Sequence, residues 1–303
     1  MKKVLALVSV LLVAIVGAAA YLLLGPSGLL QETAASSSSA SSASSASQGS
    51  AASSETSSSP GQLSKRKAPE TVADLLETIH YEVSQNPDTV GWLSVPDTDI
   101  ENSVVQSHDN HYYLRRTERR EEDIYGCYFA DYECSFGSRD ELSANTVIYG
   151  HSDLKDNPDG PRFSQLFKFA DESFARRHPT FSFSTVYEPM NWEIFAVFYA
   201  DTSFAYNQAR LSEEELEVLI AEARRKSIYQ YDTEVSGTDK IITLSTCTVK
   251  YGSRNDQRFV VMAKLLPADA QLAKEAALSA NPNPEQPAFM GGEAAAQKTE
   301  SAA

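Results

Sequence analysis

The chain has 303 residues, 42% of them hydrophobic, with 26 basic and 41 acidic side chains and a formal net charge of −15. That balance argues against nucleic-acid or polyanion binding, because a surface repelling phosphate lacks the electrostatic term such binding needs. Three cysteines are too few for a disulfide scaffold.

The N-terminus reads Met1-Lys2-Lys3 and then runs without a charge over residues 4–24. That length spans a bilayer, and the lysines favour a cytoplasmic stub at residues 1–3. Gly17-Ala18-Ala19-Ala20 resembles a signal-peptide cleavage site, but the apolar run continues through Leu24 and favours a retained signal anchor. Either reading exports the rest of the chain. Residues 25–68 are a Ser/Ala-rich linker that offers too little apolar surface to order itself. As a flexible coil it reaches roughly 35–40 Å. Residues 69–266 are enough for one domain with a substantial core. The Ala-, Pro- and Glu-rich stretch 267–303 has no sustained apolar period and is expected to be a disordered tail.

Within the domain, Val72, Leu75, Leu76, Ile79 and Val83 recur at helical spacing, with Thr71 and Asp74 placed to cap the start and Asn86-Pro87 to end it. Short β-like runs follow at 91–95, 103–106, 125–132, 145–149, 181–186 and 192–199, and again at 241–247 and 259–266. One helix interrupts them: Ser212 and Glu215 form a capping box, and Leu216, Leu219, Ile220 and Ala223 make a buried stripe. Many short strands with few helices predict a mainly β fold, a closed barrel of about eight strands with peripheral helices.

The chemistry gathers at three strand ends. Lys240-Ile241-Ile242-Thr243-Leu244-Ser245-Thr246-Cys247 delivers a thiol to the end of an apolar strand. Asn145-Thr146-Val147-Ile148-Tyr149-Gly150 ends at His151, and Arg258 opens the last strand. A thiol, an imidazole and a guanidinium are the parts acyl transfer through a thioester requires. Arg254 is a local rival to Arg258, but Arg258 directly opens a strand that pairs antiparallel with the cysteine strand. His80, His108, His111 and His178 read as structural. No Cys or acid cluster at ligand spacing makes a metal site of His108 and His111, and neither metal nor cofactor is expected. Cys127 and Cys134 admit either a bridge, which export would permit, or two unpaired thiols. The basic runs Arg115-Arg116 with Arg119-Arg120, and Arg224-Arg225-Lys226, have acidic neighbours and read as solvated faces.

These motifs, in this order, resemble those of a class B sortase. Gly91-Trp92-Leu93 with Val95-Pro96, Thr98, Ile100 and Val104-Val105-Gln106 matches the early strands of that family. Asp109-Asn110 with Tyr112-Tyr113-Leu114, and Gly126 with Phe129 and Asp131-Tyr132, matches the next block. Thr146 to His151, Leu244 to Cys247 and Arg258 to Val261 match the strands bearing the histidine, the cysteine and the arginine. The resemblance covers roughly 69–266 and implies a sortase-type barrel with an N-terminal helical extension and a helix before the cysteine strand. It implies a cysteine transpeptidase of Gram-positive bacteria with Cys247 as nucleophile, His151 as acid and base, and Arg258 on the oxyanion. Leu244, Ser245, Thr246 and Asn145 are the expected substrate-binding residues. The implied partners are secreted proteins with an Asn-Pro-x-Thr-like C-terminal sorting signal and a cell-wall or pilin amine as acceptor, met at the outer face of the plasma membrane.

Four features depart from that pattern. Ser103 stands where a proline is common, the stretch 152–165 after the histidine is long, Thr248-Val249-Lys250 supplies no acid after Cys247, and the C-terminal tail is unusual. Three rival readings remain. A papain-like protease places its cysteine before its histidine, the reverse of this chain. A water-using endopeptidase of the same fold, or a non-catalytic surface module, would share the anchor and linker.

Overall fold

A computed structural model describes residues 68–290. Helix α1, Val72–Gln85, is closed at its start by the reciprocal Thr71–Asp74 capping box. The strands are β1 (Thr89–Ser94), β2 (Glu101–Gln106), β3 (Tyr128–Ala130), β4 (Asn145–Tyr149), β5 (Thr180–Ser184) and β6 (Asn191–Asp201), with a short helix α2 (Glu172–Arg177) before β5. Helix α3, Glu213–Lys226, leads through β7 (Tyr229–Tyr231) to β8 (Ile241–Cys247), β9 (Gln257–Leu265) and β10 (Leu278–Ala280).

Eight strands close into a barrel in the order β1-β2-β3-β4-β8-β9-β6-β5, as expected from the sequence. Two neighbouring pairs, β2–β3 and β4–β8, are parallel; the rest are antiparallel. Closure leaves no free edge among these eight strands.

Alternation along β8 sorts its side chains into two cores. Ile242 and Leu244 join Val104, Ile148, Phe183 and Val261 inside the barrel. Ile241 faces outward with Val260 and Met262, where Leu216, Leu219, Ile220 and Ala223 of α3 cover them. Strands buried on both faces need near-continuous apolar sequence, and β8 and β9 have it. Each large side chain so covered contributes about 1.5–3 kcal/mol. In β6 the register shifts between Ile194 and Ala196. The extra residue, Phe195, resets which face the chain presents: Trp192 and Ile194 lie in the interior, whereas Phe195, Ala196, Phe198 and Ala200 pack under α3.

Two expectations change. The long stretch 152–165 shows in the sequence only a strong turn signal, Asn157-Pro158-Asp159-Gly160, yet beyond it Arg162–Ala170 forms a 3₁₀ segment that buries Phe163, Leu166, Phe167 and Phe169. The tail is corrected as well: residues 267–290 are placed against the domain. β10 pairs with β7, Leu278 is buried, the Ala276 amide donates to the Arg176 carbonyl, and Glu285 pairs with Arg225 and Lys226. Apart from Leu278 and Phe289, this docking rests on backbone hydrogen bonds and ion pairs, which leave no hydropathy signal. Cys127 and Cys134 are both buried free thiols. The expected stub at 1–3, the anchor at 4–24, the linker at 25–68 except its last residue, and the end of the tail, 291–303, lie outside the described residues. Among the described residues no helix is long and apolar enough to cross a membrane.

Candidate active site

Strand pairing brings the three candidate groups together. Cys247 is the last residue of β8, directly opposite Arg258 of β9. Residues directly opposite in a pair share a face, so the guanidinium and the thiol leave the sheet on the same side. On the other flank, β4 runs parallel to β8 with Tyr149 beside Ser245. Continuing that register by two residues sets His151 beside Cys247. The Gly150 amide donates to the Ser245 carbonyl at 3.3 Å. Only glycine fits at 150, because a Cβ there would meet the Phe163 ring at 2.8 Å.

Cys247, His151, Arg258, Ser245 and Thr246 line one cavity of about 280 Å³ on the outer face of the barrel. Its walls come from the β2–β3 connection, through Asn110 and Leu114, and from the β6–α3 connection, through Thr202, Phe204, Tyr206 and Asn207. Phe129 and Tyr149 complete the lining.

Hydrogen bonds fix the state of several of these groups. His151 Nε2 lies 2.8 Å from the Leu114 carbonyl, which can only accept. Nε2 therefore carries a hydrogen, and Nδ1 is the nitrogen left to gain or lose a proton. Burial pulls the His151 pKa below the ordinary 6.5, opposed by the Leu114 hydrogen bond. The neutral imidazole is thus the resting form at pH 7. Arg258 donates to the carbonyls of Asn255 and Gln257, both at 2.9 Å, which braces the head group at the cavity. Tyr206 and Ser245 share a hydrogen bond of 2.8 Å. Beneath the cavity, the buried Asp131 accepts from Asn110 and from the Tyr149 hydroxyl, and Tyr149 in turn accepts from Asn207. The Thr246 hydroxyl is buried and has no hydrogen-bond partner among the described residues.

Exposure distinguishes the cysteines. Burial raises the pKa of Cys127 and pushes that of Cys134 up to about 12, so both stay protonated. Cys247 alone of the three is exposed.

Two expected substrate-binding residues fall elsewhere. Leu244 is fully buried inside the barrel, because alternation turns it away from the face Cys247 occupies. Asn145 is also fully buried; its amide donates to the carbonyls of Tyr206 and Gln208 and accepts from Thr243. It holds the β6–α3 connection over the sheet and does not line the cavity. That connection, with Thr202, Phe204, Tyr206 and Asn207, was missed by sequence reasoning and has no periodic signal. Asn110 and Leu114 stand within a block that carries the resemblance, but were not marked as site residues. Arg254 does not line the cavity: it pairs with Asp256 and stacks on Phe289 at 4.2 Å.

Residues 93–266 match the family model described as the Sortase domain. The chain belongs to the sortase family. Sortase B of Listeria monocytogenes is 37% identical over 182 residues, which span 60% of this chain and 71% of that protein. A solved Bacillus anthracis protein, described as similar to sortase B, is 33% identical with a TM-score of 0.54 and covers 62% of this chain and 82% of its own. The Staphylococcus aureus sortase B–substrate complex is 28% identical with a TM-score of 0.57, covering 66% of this chain and 88% of that one. The barrel described above is the sortase B architecture, and the protein is a cysteine transpeptidase of class B.

Proposed function

We propose that this sortase cleaves an Asn-Pro-x-Thr-like sorting signal near the C-terminus of secreted proteins and transfers them to a cell-wall or pilin amine. The observation that carries the reading is the shared cavity holding Cys247, His151 and Arg258. A solved sortase B complexed with triglycine, 28% identical to this chain, supports an amine as the second substrate.

In this scheme Cys247 Sγ attacks the threonine carbonyl. Charge develops on the carbonyl oxygen, and Arg258, opposite the nucleophile, hydrogen-bonds it. The tetrahedral species collapses to a thioester, the peptide C–N bond breaks, and the proton on His151 Nδ1 goes to the departing amine. The proton that reaches the first amine is the one the Cys247 thiol gave up to Nδ1; an acceptor amine then attacks the thioester and gives a proton to His151 Nδ1, the thiolate leaves, and return of that proton to sulfur restores the thiol. Because burial favours neutral His151, the acid form is the minor population at pH 7.

We also propose that the enzyme sits at the plasma membrane, with residues 4–24 as a single-pass signal anchor and the domain on the extracytoplasmic side. The uncharged run after Met1-Lys2-Lys3 supports this. The test of the reaction is ligation: enzyme, a peptide containing Asn-Pro-x-Thr and triglycine should give the Thr–Gly-joined product. Hydrolysed peptide with no joined product at any triglycine concentration would instead make it a water-using endopeptidase.

A further inference from the structure

The sequence after Cys247, Thr248-Val249-Lys250, carries no acid, yet a carboxylate sits against it. Asp156, from the loop that follows His151, accepts from the Thr248 hydroxyl at 2.5 Å and from the Val249 amide at 3.0 Å. In the same loop, the Ser152 hydroxyl donates to the Cys247 carbonyl at 2.7 Å. These contacts begin where the strands stop. The last β4–β8 pair is Tyr149 with Ser245, the Gly150 amide then reaches the Ser245 carbonyl, Ser152 reaches Cys247, and Asp156 reaches Thr248 and Val249. Side chains thus continue a ladder that backbone pairing has ended.

The loop is built to hold that carboxylate in place. Asp153 accepts the amides of Lys155 and Asn157, its own amide donates to Ser164, and the Phe163 amide donates to the His151 carbonyl. Asp156 itself has φ 51°, a left-handed conformation that persists in a non-glycine residue only when its surroundings hold it. The connection it grips, residues 248–256, joins the nucleophile to Arg258. Without a grip, the spacing of Cys247 from His151 would depend on two polar connections at strand ends.

We propose that Asp156 is a positioning residue: it latches the connection after Cys247 to the connection after His151 and so sets the spacing of the thiol and the imidazole. It touches no substrate. It acts through hydrogen-bond geometry and not through its charge, since both of its donors are neutral groups. The proposal rests on Cys247 and His151 being the reacting pair.

The test uses the full chain with Asp156→Ala, Asp156→Asn and Thr248→Val, and His151→Gln as a reference. On a sorting peptide, Asp156→Ala should lower kcat roughly 10–10²-fold, the scale of misplacing a catalytic group by a fraction of an ångström to one ångström, while KM changes less than about twofold. Asp156→Asn should stay within about threefold of the parent, because an amide accepts from Val249 and donates to the Thr248 oxygen. Thr248→Val, which removes one rung and keeps the shape, should fall between the two. An unchanged kcat in Asp156→Ala, or Asp156→Asn as slow as Asp156→Ala, overturns the proposal. A second arm needs no peptide turnover: the rate of Cys247 alkylation by iodoacetamide at pH 7. Asp156→Ala should move towards the His151→Gln rate, and a rate equal to the parent's overturns the latch. If His151→Gln itself alkylates like the parent, it is the Cys247–His151 pairing that fails, and the proposal with it.

Discussion

At the scale of single residues, strand register decides which arginine stands beside Cys247. Arg258 faces Cys247 across β8–β9, whereas Arg254 is committed to Asp256 and Phe289. Arg258→Ala is expected to lower turnover roughly 10²–10³-fold, the usual loss for one oxyanion donor. Arg258→Lys should recover little, since an ammonium lacks the planar fork. Arg254→Ala should leave turnover nearly unchanged, and steady-state kinetics on one peptide compares all three. His151 carries a separate expectation for stability. Its folded pKa lies below the 6.5 of an unperturbed histidine, so the unfolded chain binds this proton more readily. Stability from keeping the ring neutral is present above pH 6.5 and is lost as pH falls through the lower folded value. Denaturant midpoints between pH 7.5 and 5.5 should therefore fall less steeply in His151→Gln than in the parent; parallel curves would contradict this. Cys247, His151 and Arg258 were legible in the sequence because each stands at the end of an apolar run. Leu244 and Asn145 were misjudged because nearness in sequence to the nucleophile or the histidine strand says nothing about which face a strand turns to the cavity.

Among the elements, the strands and the two amphipathic helices were legible because periodicity and capping residues mark them. The capping boxes Thr71–Asp74 and Ser212–Glu215 both form as read. What escaped are elements whose stability is borrowed. The 3₁₀ segment Arg162–Ala170 follows a strong turn signal and is held by burial of its phenylalanines. β7 and β10 are three residues each and pair only with one another. The docked tail makes an expectation of its own. Leu278→Ala should destabilise the domain by about 2–5 kcal/mol, the range for a buried leucine truncated to alanine, as read from urea unfolding. Residues 286–289 of the tail also touch the side of the barrel that bears the cavity: the Ala288 amide donates to Asp201, Tyr251 bonds Gln286, and Phe289 packs on Tyr251. Removing residues 267–303 should thus lower the melting temperature, and an unchanged melting curve would show that this docking contributes nothing to stability.

For the whole molecule, the closed barrel is what turns three distant segments into one site. Parallel β4–β8 pairing and antiparallel β8–β9 pairing are each fixed by which face is buried, since a one-residue slip would exchange inside for outside along the strand. That coupling explains why the architecture was readable from strand count and alternation, while the cavity walls were not: they are irregular connections placed by side-chain hydrogen bonds such as those of Asn145 and Asp131. Above all, this barrel is expected to hold Cys247 as the nucleophile of a thioester pathway. The most direct test is intact-protein mass spectrometry of the enzyme mixed with an Asn-Pro-x-Thr peptide and no acceptor amine, quenched in acid and mapped by peptide digestion. The expected result is an adduct of the peptide's N-terminal fragment on Cys247, absent in Cys247→Ala and discharged by triglycine. Cleaved peptide with no adduct on Cys247, or turnover retained in Cys247→Ala, would contradict it.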